Sequence, residues 1–218
     1  MLDVIFILIY VYFLNCLYSD DRLILEQANI LENKTLSGES VKFISGNVIL
    51  KKGDLTLKCD QGRQYESNDL AVLYEKVSAL KNGQTLTCDT IKFYSKNNKL
   101  LSIGKSHIWD SDYDLKADTI IVFTKIDSGV ALGNVSLIQK GQTIKANRIE
   151  YQKHSEQDGV SYTASGNVVI QDSIQIATCG KAKYNREPAL TLRCVRRKVC
   201  IFRRQVCWLT PGTRSSDR

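Results

Sequence analysis

Between residues 46 and 166 the chain returns to one phrase at nearly constant spacing, and a fixed period of this length constrains the fold more than any single residue does. With Gly46, Glu75, Gly104, Gly133 and Gly166 as anchors, the intervals are 29, 29, 29 and 33 residues. The anchor phrases read SGNVIL, YEKVSA, IGKSHI, LGNVSL and SGNVVI, each with an apolar or small residue two and four positions on. Period-two alternation of this kind marks a half-buried strand.

Thirteen residues after the anchor comes a small side chain, Cys59, Cys88, Ala117 or Ala146; in the fifth copy Thr178 follows after twelve, as if a turn residue were dropped. The intervening turns, KKGD, KNGQ, SDYD, QKGQ and QDS, carry the Gly, Asp and Asn of tight hairpins. Past the small residue the apolar positions fall at odd offsets: Ile91 and Phe93, Ile120 and Val122, Ile149 and Tyr151. A strand repeats its face every second residue, so an odd offset requires a bend or bulge, expected at Asp89, Asp118 and Asn147. The first copy departs with Gly62 and Gln64 at apolar positions and the fifth with Lys181, as terminal repeats of an array do. The expected fold is all-β and elongated, stacked antiparallel strands built from about five 29-residue repeats.

Composition agrees: 43% of the 218 residues are hydrophobic, and the only prolines are Pro188 and Pro211, which leaves the first 187 residues free of them. The net charge of +7 suggests nucleic acid until it is located. Residues 193–218 hold seven Arg and one Lys against one Asp, and residues 1–192 balance 22 basic with 22 acidic side chains. A basic tail beside a neutral repeat region does not describe a nucleic-acid surface, and no nucleic-acid partner is expected.

Three segments follow. Residues 1–20 open with about 15 apolar residues, the length of the apolar region of a signal peptide. An uncleaved membrane anchor, or a lipoprotein segment with Cys16 of FLNC lipidated, are the alternatives, and each puts the rest of the chain outside the cytoplasm. Residues 21–190 form the repeat domain. Residues 191–218 are an atypical basic tail in which Cys194, Cys200 and Cys207 lack metal-site spacing. Outside the cytoplasm Cys59, Cys88 and Cys179 are open to oxidation.

Convergent catalytic chemistry is not apparent. His107 and His154 have no partner at metal-ligand spacing, and no nucleophile or phosphate-loop motif occurs, so no catalytic residue, metal or cofactor is expected. The column Asp60, Asp89, Asp118 could serve a polysaccharide-active β-helix enzyme. Asp and Asn also suit a corner because they hydrogen-bond their own backbone, and the fourth member is Asn147.

The runs SGNVILKKGDLTLKCDQGRQY, NGQTLTCDTIKFYSKNNKL, ALGNVSLIQKGQTIKANRIEY and ASGNVVIQDSIQIAT closely resemble the OstA/LptA-type (organic solvent tolerance-like) proteins of lipopolysaccharide transport. The resemblance covers roughly residues 23–190. It implies a β-jellyroll open along one side and at both ends, with lipopolysaccharide acyl chains held inside and head groups outside. It further implies a periplasmic location and end-to-end joining by edge-strand addition to other Lpt components or to further copies of itself.

On that reading the chain is a non-enzymatic carrier or bridge for lipopolysaccharide or lipid A, serving outer-membrane assembly. Its apolar groove is expected to be lined by Leu57, Leu86, Ile91, Phe93, Leu115, Ile120, Val122, Ile144, Ile149 and Tyr151, with membrane association through residues 1–20. The competing readings are a structural or adhesive β-solenoid with a packed core and the β-helix enzyme. Charge introduced at Leu115 but not at Lys116 should abolish lipid binding on the first.

Overall fold

A computed structural model of the chain describes residues 22–153, 160–185 and 191–194. Residues 1–20 with Cys16, His154, and the tail with Cys200 and Cys207 lie outside the described residues. The chain divides into two compact units between Asn97 and Asn98. The first holds β1 (Ile24–Gln27), β2 (Ile30–Leu36), β3 (Glu39–Lys52), β4 (Leu55–Tyr65), β5 (Leu70–Lys81) and β6 (Gln84–Tyr94), followed by a 3-10 turn at Ser95–Asn97. Strands β1 and β2 lie end to end along β3, and β4, β5 and β6 follow in order, each antiparallel to the last. The second holds β7 (Lys99–Trp109), β8 (Tyr113–Phe123), β9 (Ser128–Gln139), β10 (Gln142–Lys153), β11 (Val160–Gln171), β12 (Ile176–Asn185) and β13 (Thr191–Cys194), again antiparallel in chain order. Within each unit the first and last strands do not pair, so the sheets are open.

The hairpins follow from the turn residues. In KNGQ and QKGQ the two loop residues, Asn82–Gly83 and Lys140–Gly141, all have positive φ, as a two-residue hairpin matched to strand twist requires. In the SDYD turn the carboxylate of Asp110 accepts from the backbone N–H of Asp112 and Tyr113.

The corner differs from the sequence expectation in which strand carries it. Asp89, Asp118 and Asn147 do not have left-handed backbone; the strained pair sits at the anchor of the partner strand. Gly46–Asn47, Glu75–Lys76, Gly104–Lys105, Gly133–Asn134 and Gly166–Asn167 all have positive φ. In each case these two residues face a single residue opposite: Asp60, Asp89, Asp118, Asn147 or Gly180. This is a β-bulge, and its two-against-one count explains the odd offset. On β5 the buried positions keep one parity (Ala71, Leu73, then Val77, Ala79), whereas on β6 they switch from Leu86 to Ile91 and Phe93.

The fifth copy keeps the same register. Val168 pairs with Cys179 as Val48 pairs with Cys59 and Val77 with Cys88, so Cys179, thirteen residues after Gly166, is the small residue and no turn residue is dropped. Ala177 and Ala182 are the buried residues around it, and Lys181 is exposed. Gly62 in the first copy is also explained: a Cβ there would stand 2.9 Å from Leu73 Cδ2 and 3.1 Å from Ile44 Cγ1, so the glycine makes room for two core side chains.

Candidate functional site

The bulges turn one face of every strand inward on both sides of the corner, and the apolar columns line that interior. In the first unit Leu57, Ile91 and Phe93 are fully buried and Leu86 is 3% exposed. In the second, Ile120, Ile144 and Ile149 are buried while Leu115, Val122 and Tyr151 are half-buried. Lys116, next to Leu115, is exposed with its ammonium 3.9 Å from Asp114. All ten residues read from the sequence thus occupy inward positions.

The two interiors differ in fill. The first is closed by large side chains, among them Ile44, Leu50, Leu73 and Phe93 at 2% exposure or less. The second places alanines at 117, 131, 146, 164 and 182, and a crevice of about 10 Å³ lies between Leu137, Ile144, Ile149, Tyr162 and Ile170. That is room for about one water. A wider hollow of about 270 Å³ lies on the opposite, outward-parity face of these strands, bordered by Phe123, Val130, Glu150 and Thr163.

Tyrosines mark the second interior away from the corner. The rings of Tyr151 and Tyr162 lie 5.7 Å apart. Burial, then the charge of Asp127, pushes the Tyr151 hydroxyl up to about 12, and burial, then Asp110, pushes Tyr113 higher still. Bare phenolates are disfavoured there, which suits an apolar chamber.

Two members of the acidic column, Asp60 and Asp118, make contacts at the bulges. Asp60 pairs with Lys76 at 2.6 Å, and Asp118 accepts from Asn134 Nδ2 at 2.9 Å, each contact bracing a bulge. His107 lies beneath Trp109, ring centroids 4.4 Å apart, with Nε2 3.0 Å from Asp114. Cys59, Cys88 and Cys179 are free thiols; burial raises Cys59 to about 12, and Cys88 Sγ donates to the Thr90 carbonyl. Among the described residues no cluster of His, Cys, Asp and Glu could hold a metal, and no helix is long and apolar enough to cross a membrane.

Two features escaped the sequence reading. Asn29 occupies the corner slot of a further, partial copy: its backbone N–H donates to the Ser45 and Gly46 carbonyls, and a Cβ on Gly46 would meet its side chain at 2.6 Å. The likeness of QANILE at 27–32 to KANRIE at 145–150 is the signal for it. The other is Lys52, buried at the end of β3 with Nζ 2.7 Å from the Ser95 carbonyl oxygen. Its parity with Val48 and Leu50 on an inward face was readable; its partner, 43 positions away, was not.

An open antiparallel sheet, bulged once per hairpin so that one apolar face wraps inward, defines the class: a β-jellyroll with an apolar interior and a polar outside. The chain belongs to the LptA/(LptD N-terminal domain) LPS transport protein family, whose profile matches residues 32–157. Comparison with curated proteins finds no significant match. Among solved structures it is similar to LptH, described as the LptA-homologous periplasmic component of the conserved lipopolysaccharide transport device from Pseudomonas aeruginosa. Identity is 18%, the match covers 66% of this chain and 95% of that one, and the TM-score is 0.45.

Proposed function

We propose that this chain is a periplasmic, non-enzymatic carrier that shelters the acyl chains of lipopolysaccharide in its apolar interior on their way to the outer membrane. The observation that carries the reading is the inward placement of all ten apolar column residues in a member of a lipopolysaccharide transport family. Each methylene moved from water to such a surface gains about 0.8 kcal/mol. The half-buried Leu115, Val122 and Tyr151 make the second unit the softer place to begin.

Hand-over to other Lpt components or to further copies of the chain fits the edge formed by β1 and β2. Every residue of β2 is exposed, Ile30 and Leu31 at 55% and 54%. An uncovered strand with apolar side chains is suited to strand addition. The packed-solenoid reading draws its support from the filled first interior.

One experiment separates the two. A photo-crosslinking residue at Leu115 should capture lipopolysaccharide, and one at Lys116 should not. Crosslinks at neither position, or equally at both, in folded protein would overturn the carrier reading in favour of the packed core.

A further inference from the structure

The outward hollow of the second unit lies over β9, β10 and β11, each paired on both sides. Their backbone N–H and C=O groups are spent on the sheet, so a molecule docking there is recognised by side chains. The pairing aligns those side chains in rows. One row runs Phe123, Ser128, Gln152, Ser161, and the next runs Ile121, Val130, Glu150, Thr163. Three pairing steps span about 14 Å across the strands, and the step between rows about 7 Å along them.

The lining mixes two kinds of surface. Half-buried Phe123 and Val130 give an apolar floor, and Ser128, Glu150, Gln152 and Thr163 surround it with acceptors and donors. Glu150 is already neutralised by Arg148, whose Nε and Nη2 reach it at 2.8 and 2.6 Å. Both contacts fall on the same oxygen, Oε1, and the exposed Oε2 faces solvent with its acceptor capacity intact.

That combination selects among ligands. Among the described residues no Lys or Arg borders the hollow, so a phosphate or carboxylate meets no unopposed cation. An acyl chain would cover the carboxylate and the amide without bonding them, at a desolvation cost. A sugar ring matches both surfaces: its C–H face packs on Phe123 and Val130, while its hydroxyls, each donor and acceptor, meet Glu150 and Gln152.

We infer that this hollow is a saccharide subsite for an uncharged pyranoside, with Phe123 as the stacking platform and Glu150 and Gln152 as the hydroxyl-binding groups. The site goes beyond the carrier reading and does not depend on it, since it lies on the face opposite the apolar columns. Tyr151, an inward residue, also borders it, which puts the hollow near the rim between the two faces. A free glycan and the sugar head of an amphiphile share the required chemistry.

The test titrates the isotope-labelled full chain with maltose, lactose and diacetylchitobiose, and with sorbitol as a ringless control, following backbone amide shifts. At least one disaccharide should move Ser128, Val130, Glu150 and Thr163 selectively, and sorbitol should not. Phe123→Ala and Glu150→Gln should each weaken that binding about tenfold, with circular dichroism showing both variants folded. No shift with any disaccharide, shifts spread over the whole outer face, or binding retained by both variants overturns the subsite and leaves the carrier reading standing. A dodecyl tail on the sugar that binds separates the two sources. Affinity unchanged by the tail assigns a free glycan; a gain that Leu115→Asp removes assigns an amphiphile whose chain lies inside.

Discussion

Gly133→Ala tests whether the bulge is the element that sets the fold. Gly133 has φ +74°, where an L residue costs about 1–2 kcal/mol. A Cβ there would stand 2.3 Å from Asp118 Oδ2, 2.9 Å from its Cγ and 3.0 Å from its Cβ, so the whole side chain has to move, not only its tip. Moving it breaks the bond from Asn134, worth about 1 kcal/mol. The total is about 2–3 kcal/mol, or about 5–10 °C in Tm for a chain of this size. Gly141 is the control: φ is +76° with nothing within 4 Å of its Cβ, so Gly141→Ala should show the backbone cost alone. Urea unfolding measures both. Adding Asp118→Ala to Gly133→Ala should cancel the excess, as a double-mutant cycle reads directly. Equal destabilisation by Gly133→Ala and Gly141→Ala, within about 0.3 kcal/mol, would refute the argument that the carboxylate and the glycine are built for each other.

Glu75 occupies the anchor slot that glycine fills in the other four copies, at φ +64°, so Glu75→Gly should raise stability by about 1 kcal/mol in the same unfolding assay. Phe93, fully buried, should cost about 3–5 kcal/mol on truncation to Ala, visible as a lowered urea midpoint. Cys59 and Tyr151 have folded pKa values raised from 9.0 and 10.0 to about 12. Their contribution is therefore complete below about pH 9 and is lost as pH rises towards 12, because the unfolded chain ionises first; urea midpoints should fall between pH 9 and 12. For the same reason native Cys59 should react with a maleimide about tenfold or more slowly than half-buried Cys179, and equal rates would contradict the burial.

The repeat, the strands and the inward faces were legible because they are local. Alternation with period two fixes which side chains share a face, and the switch of parity from Leu86 to Ile91 requires a bulge. Which strand carried the extra residue was not legible, since a parity switch on β6 arises from a two-residue bulge on β5. The same ambiguity misplaced the small residue of the fifth copy at Thr178 when pairing sets it at Cys179.

The sequence by itself thus determined a stack of bulged hairpins with one apolar face, and, through its recurring phrases, the family. Only the tertiary structure decided that the first interior is filled and the second looser, that Asp118 braces a glycine across a strand pair, and that Lys52 reaches Ser95. Those depend on contacts between residues that no period relates, and on how side-chain volumes add up once the sheet has folded on itself.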